Sequence, residues 1–245
     1  MLKILDLFAG AGGLSLGFEG TKQFEVVAIV ENNKNAAKTY LRNHPGLKNY
    51  EDILTVDFQQ IKRECGDIDV IIGGPPCQPF SRRGKQKGKD DERNGFPAFI
   101  EAIRKVNPPI WICENVKGLA IHDKGRTYKI IKKSFEQIGY TVFEKVLNSK
   151  DFGVPQNRER IYIVAFRNDI DCTAFKFPEG RKKDTCINDI IEENEVSVKY
   201  YLSDVYLQTL RDHKKRHEQK GNGFGFEIRK LDDKAGAIVC GGMGR

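Results

Sequence analysis

The chain has 245 residues, which admits one large domain or a domain with part of a second. Hydrophobic residues make up 39% of it, enough for a core, and no apolar run is long enough to cross a membrane. A formal net charge of +7 favours a polyanionic partner, although many basic proteins never touch nucleic acid. The N-terminus, "MLKILDLFAG", lacks a signal peptide's arrangement and moves straight into a strand, "KILDLF". "GGLSLGFEG" reads as a helix opening after glycines, "FEVVAIV" as a second strand, and "NKNAAKTYLRNH" as a helix stopped by Pro45. "DVIIGG", "FPAFIEAIRKV" and "PIWICEN" give strand, helix and buried strand. "GRTYKIIKKSFEQIG" is an amphipathic helix with Tyr128, Ile131, Phe135 and Ile138 on one face and Gly139 as its stop. "YTVFEKVLN" and "RERIYIVAFRND" then read as an antiparallel hairpin. This alternation predicts an α/β fold, a doubly wound and mostly parallel sheet covered on both faces. After about residue 170 the rhythm breaks, and "EGRKKDTC" marks a boundary. Beyond it lies a helix ending in a basic cluster, followed by a Gly- and Phe-rich stretch.

Six cysteines (Cys65, Cys77, Cys113, Cys172, Cys186 and Cys240) lie far apart without a C-x-x-C pair. Neither a zinc site nor a disulfide framework is expected, and the compartment is read as a reducing cytoplasm. His213 and His217, four apart on a helix, have metal-ligand spacing. Beside Lys214, Lys215 and Arg216 they read instead as a solvated or phosphate-facing surface, and no metal site is expected.

Four segments carry the chemistry. In "DLFAGAGGLSLGFE", Gly10, Gly12 and Gly13 stand between the first strand and helix, where the backbone can pass close to a ligand and free N–H groups are presented. Glu31, ending the second strand before Asn32, suits two ribose hydroxyls, and Asp52 suits an adenine amino group. Alone, the glycines fit equally a tight turn or a dinucleotide loop; Asp6 and Phe8 shift the reading towards an adenosyl ligand without a pyrophosphate. In "IIGGPPCQPFSRRGKQKG", Pro75 and Pro76 end the strand and hold Cys77 on a stiff turn at its carboxyl end. Free cysteine is only a few per cent thiolate near neutrality, and the cations Arg82, Arg83, Lys85, Lys87, Lys89 and Arg93 raise that fraction. The bland reading of these charges is a solvated surface loop. In "ICENVKG", Glu114 after a buried run is either working or satisfied by backbone donors at a helix start, while Asn115 caps the segment or holds the carboxylate. In "GVPQNRERIYIV", Arg158 and Arg160 alternate onto one face of a strand, as partners for a carbonyl oxygen or phosphate or as plain edge charges.

"DLFAGAGGLSLGFE", "ENN", "EDI", "GGPPCQPFS", "ENVKG" and "QNRERIYIV", in this order over residues 3 to about 167, resemble the DNA cytosine-5 methyltransferases of bacterial restriction-modification systems. The resemblance implies S-adenosyl-L-methionine as cofactor, with Phe8, Gly10, Gly12, Leu14, Glu31, Asn32, Asp52, Ile53, Gly74, Pro76 and Phe96 lining its site. Asn32 departs from the family, which often carries an aromatic residue there. By the same resemblance, Cys77 adds to carbon 6 of cytosine, Glu114 holds the ring nitrogen and exocyclic amine, Arg160 holds the carbonyl oxygen, and Arg158 organises its loop. Gln78, Ser81, Arg82, Arg83, Lys85, Lys87 and Arg93 would contact duplex DNA around a flipped-out base. A tRNA cytosine-5 methyltransferase shares these motifs. A catalytically dead DNA-binding relative is the other rival, against which Cys77 and Glu114 together argue.

On this reading residues 1–175 form the catalytic, cofactor-binding domain. Residues 176–245 are the beginning of a target-recognition region that lacks the family's last motifs. The expectation is a truncated enzyme or one subunit of a split one, with little activity alone and a second polypeptide carrying the rest.

Overall fold

Leu2–Leu7 (β1) is short, largely apolar and buried from Ile4 onwards, and it is an interior strand of the sheet in a computed structural model of the chain. The structure describes residues 1–76, 95–181, 184–222 and 225–237. Phe24–Val30 (β2) and Val70–Gly73 (β4) pair with β1 on its two sides, both parallel to it. Lys48–Asn49 (β3) extends the sheet beyond β2, and Ile110–Val116 (β5) extends it beyond β4, again in parallel. Glu159–Arg167 (β8) pairs antiparallel with β5, and Tyr140–Asn148 (β6) lies at the edge, completing a seven-stranded order β3-β2-β1-β4-β5-β8-β6. The doubly wound, mostly parallel sheet expected from the alternation is therefore present. Because the chain winds outward in one direction from β1 and returns to start the other at β4, the carboxyl ends of β1 and β4 form a crevice.

Side-chain alternation divides β1 between two cores. Leu5 and Leu7 face Phe58, Ile61, Phe99, Ile103, Trp111 and Phe135 in the larger one. Its helices are Phe58–Cys65 (α3), Phe96–Val106 (α4), the short Gly118–Ile121 (α5) and Arg126–Gln137 (α6). Trp111 packs against Phe135 at 4.1 Å between ring centroids and meets the edge of Phe99 at 5.9 Å, and each such burial is worth about 1.5–3 kcal/mol. Ile4 and Asp6 point the other way, towards Ser15–Glu19 (α1) and Lys34–Asn43 (α2). Local signals set the helix ends. Asn33 accepts from the amides of Asn35 and Ala36 at the start of α2, and Asn107 in the left-handed region (φ 51°) stops α4. Gly139, at φ 91°, follows α6 as the sequence suggests.

Two features differ from the sequence expectation. Helix α3 was not foreseen, because it is short and only Phe58 and Ile61 are buried, although Asp57 caps it and Gly66 ends it. Arg158 and Arg160 do not share a strand, since Gln156–Asn157 (β7) ends and β8 begins on either side of Arg158. The chain divides into two compact units, residues 1–147 with 159–178 and residues 148–158 with 179–245. In the second, β7 pairs in parallel with Ala235–Gly236 (β9), and Ser203 caps the helix Asp204–Gln219 (α7). Among the described residues no helix is long and apolar enough to cross a membrane.

Candidate active site

Most described site residues of the first unit follow a parallel strand at its carboxyl end, whereas Glu114 lies within β5, Arg160 near the start of β8, and Phe96 opens α4. The loop after β1 turns through left-handed backbone at Phe8 (φ 55°), Gly10 (φ 57°) and Gly12 (φ 92°) before α1 begins. At Gly12 glycine is needed twice over, because an added Cβ would also lie 3.0 Å from ring atoms of Tyr40. Glu31, just past β2, grips this loop: one carboxylate oxygen accepts from the Gly10 amide at 2.8 Å and the other from the Asn33 amide at 2.6 Å. Glu31 is itself placed by Asn49 of β3, which bonds both its backbone N–H (3.0 Å) and its carbonyl (3.0 Å). Asn32 is exposed, and Leu14 packs half-buried on the smaller core. Asp52 is exposed and accepts from the Leu54 amide at 2.9 Å, while Ile53 packs half-buried against the larger core.

Beneath the glycine loop is a polar group of side chains the sequence did not reveal. The Tyr40 hydroxyl, fully buried, donates to Ser15 Oγ at 2.6 Å, and Ser15 Oγ donates to the Gly12 carbonyl at 3.1 Å. Asp6 Oδ2 lies 3.5 Å from the same Tyr40 hydroxyl. Burial pushes the Asp6 carboxyl up to about 7, against the hydrogen bonds of Ser15 and Tyr40, with Glu19 and Glu31 adding to the rise.

At the end of β4 the chain leaves the sheet through Gly74, Pro75 and Pro76. Asn115, buried on β5, donates its amide to the Pro75 carbonyl at 2.9 Å, so it holds the proline turn rather than the neighbouring carboxylate. Pro76 O accepts from the Gly95 amide at 3.0 Å, and Phe96 opens α4 in the core. Cys77, Gln78, Ser81, Arg82, Arg83, Lys85, Lys87, Lys89 and Arg93 lie outside the described residues.

Glu114 and Arg160 do come together. Val116 is opposite Arg160 in the β5–β8 register, so Glu114, two residues earlier, is on the same face as Arg160. Arg160 Nε meets Glu114 Oε1 at 2.9 Å, while one guanidinium nitrogen donates to the Glu159 carbonyl at 2.8 Å. The other carboxylate oxygen, Oε2, lies 3.6 Å from where a Cβ on Gly74 would be, which is ordinary contact distance and places the carboxylate directly beside Gly74. Arg158 belongs to the second unit, where Asn148 Oδ1 accepts from its amide at 3.1 Å. His213 and His217 lie on α7 with ring centroids 4.5 Å apart. Among the described residues no group of three or more His, Cys, Asp or Glu is arranged to hold a metal ion.

The profile of the C-5 cytosine-specific DNA methylases matches residues 2–239. The chain is 46% identical over 244 residues to the type II methyltransferase M.HpaII of Haemophilus parainfluenzae, covering 98% of this chain and 67% of that protein. It is 42% identical over 233 residues to the type II methyltransferase M.NlaX of Neisseria lactamica, covering 93% and 71% respectively. The crystal structure of a Spodoptera frugiperda DNMT2 mutant superposes with a TM-score of 0.71 at 27% identity, over 86% of this chain and 65% of that one. The chain thus spans about two thirds of the length of these relatives.

Proposed function

The chain belongs to the C-5 cytosine-specific DNA methylase family, and from that premise we propose that it works in the methylation of carbon 5 of cytosine in a specific duplex DNA sequence, as part of a restriction-modification system. The observation that carries the reading is the Glu114–Arg160 pair beside Gly74, at the root of the turn that leads into Cys77. A carboxylate and a guanidinium on one face match the two polar edges of cytosine. Glu114 accepts from the exocyclic amine, which thymine lacks, and Arg160 donates to the carbonyl oxygen. Cys77 supplies the thiolate that adds to carbon 6 and makes the otherwise unreactive carbon 5 nucleophilic. Arg158 organises its loop. The base must leave the duplex to reach these groups, and Gln78, Ser81, Arg82, Arg83, Lys85, Lys87 and Arg93 hold the DNA around it.

S-Adenosyl-L-methionine, when bound, supplies the methyl group. The residues fit an adenosyl ligand: glycine backbone of positive φ admits its close approach, and Glu31 at the end of β2 suits ribose hydroxyls. Phe8, Gly10, Gly12, Leu14, Asn32, Asp52, Ile53, Gly74, Pro76 and Phe96 line the rest of the site. We place the reaction in the cytoplasm, where the cysteines stay reduced.

Labelled cofactor and mixed-sequence DNA should give 5-methylcytosine with the complete enzyme, and label on an exocyclic amine would overturn the reading. Offering tRNA in competition with DNA separates this enzyme from an RNA methylase. Turnover by the purified chain alone would remove the expected need for a second polypeptide. Cys77→Ser should lower turnover by at least about a thousandfold while cofactor affinity stays within about twofold. A fluorinated cytosine should cross-link to Cys77, and linkage to buried Cys113 instead would sink the assignment.

A further inference from the structure

Tyr40 is an unexpected residue to find fully buried on a surface helix whose other side faces solvent. Packing alone would be met by phenylalanine, since the ring lies directly under Gly12. The hydroxyl instead enters a chain of hydrogen bonds that ends on the glycine loop: Tyr40 to Ser15 at 2.6 Å, Ser15 to the Gly12 carbonyl at 3.1 Å. The Gly12 carbonyl also accepts from the Leu16 amide at 3.1 Å, and the Gly12 amide donates to the Ala9 carbonyl at 3.1 Å. The loop is thus tied down from below by Ser15 and Tyr40 and from the side by Glu31 through the Gly10 amide. Tyr40 is itself fixed at its helix end. The ring of His44, one turn on, stands 4.7 Å from its own, and His44 bonds both the Tyr40 carbonyl (3.1 Å) and Glu19 of α1 (2.8 Å).

We propose that Tyr40 and Ser15, backed by Asp6, are positioning residues that preset the glycine loop for the adenosyl cofactor without touching it. The proposal rests on the reading that this loop takes that cofactor. A loop held in its binding conformation beforehand loses less freedom on binding, so the benefit falls on affinity and not on the chemical step. A buried hydroxyl that merely stiffened the core would instead lower stability and leave the loop and the cofactor affinity alone.

The test is Tyr40→Phe, which keeps the ring and removes one oxygen, with Ser15→Ala as the second variant. In the cofactor-free chain, amide hydrogen exchange in a peptide covering residues 8–16 should quicken in both variants, while exchange in α4 and α6 stays as in the wild type. In the active enzyme the KM for S-adenosyl-L-methionine should rise roughly five- to tenfold, as expected for one buried hydrogen bond, with kcat and the KM for DNA within about twofold. The double variant should be no worse than the poorer single one, because both interrupt the same chain of bonds. Unchanged exchange in residues 8–16 in both variants would overturn the proposal, whatever happens to the melting temperature. A wild-type enzyme that bound no adenosyl compound would defeat the cofactor reading instead, and the exchange measurement would still decide whether Tyr40 and Ser15 set the loop.

Discussion

Asp6 is a carboxyl group that water scarcely reaches, at 1% exposure, and the groups that act on it are two hydroxyls and two carboxylates. Burial raises its pKa from 3.8 to about 7. The groups facing it are Ser15 and Glu19 of α1, Tyr40 of α2 and Glu31 after β2; the hydroxyls pull the value down and the two carboxylates push it up. The sign of the consequence follows. Because the folded state holds this proton more tightly than the unfolded chain, the stabilisation is complete below about pH 3.8 and is lost as the pH climbs through about 7. Asp6→Asn keeps the shape and has no charge to bury. Its melting temperature relative to wild type should therefore climb with pH, by about 5 °C or more between pH 5 and pH 8. Differential scanning fluorimetry across that range checks it, and a constant difference would mean that Asp6 is already ionised at pH 5 in the folded protein, its pKa not raised by burial. None of this was legible in the sequence, where Asp6 is one letter of a glycine motif and Tyr40 one aromatic in a helix. Their meeting depends on α2 folding back over the β1 loop.

Elements were more readable than their partnerships. Helix α4 and strand β6 follow the sequence expectation residue for residue, since glycine, proline and asparagine mark their ends and the apolar spacing is unambiguous. The proline turn after β4 was equally plain, because Pro75 and Pro76 can neither continue the ladder nor start a helix. Helix α3 escaped because two buried residues in eight give a weak period. The break at Arg158 escaped because strand-forming residues run on both sides of it. Nothing in its sequence shows that Asn148 takes its amide. The central strands also contain a constraint of contact that local pattern does not report. Gly73 ends β4 where an added Cβ would lie 2.6 Å from the Leu7 carbonyl oxygen and 2.9 Å from Phe99 Cε2. Neither the backbone of β1 nor a fully buried ring is free to move aside, so Gly73→Ala should cost about 1–3 kcal/mol and several degrees of melting temperature. Gly17→Ala, on α1 with open space around its Cβ, should instead be neutral or stabilising by up to about 1 kcal/mol. Equal losses at the two glycines would show that the crowding at β4 is relieved by movement of the strands.

Net charge is a property of the whole chain, and at +7 it bears on partners rather than on fold. Many of the surface ion pairs, such as Lys48–Glu64 at 2.6 Å and Lys117–Glu159 at 2.8 Å, join well-exposed groups and contribute little to stability, so the cationic excess is better understood by what it attracts. A protein that neutralises phosphates releases the cations condensed on the nucleic acid, and its affinity then falls as a power of the salt concentration. If about four lysines and arginines engage phosphates, binding to a DNA duplex should weaken roughly a hundredfold between 50 and 200 mM salt. Cofactor affinity, if the glycine loop and Glu31 hold the cofactor as proposed, should change far less over the same range. Fluorescence anisotropy with a labelled duplex measures the first and calorimetry with an adenosyl ligand the second. A duplex affinity indifferent to salt would mean that the basic residues, those of "SRRGKQKG" included, are only a solvated surface. The slope alone does not separate DNA from RNA, because both are polyanions; only direct competition between duplex and tRNA does that.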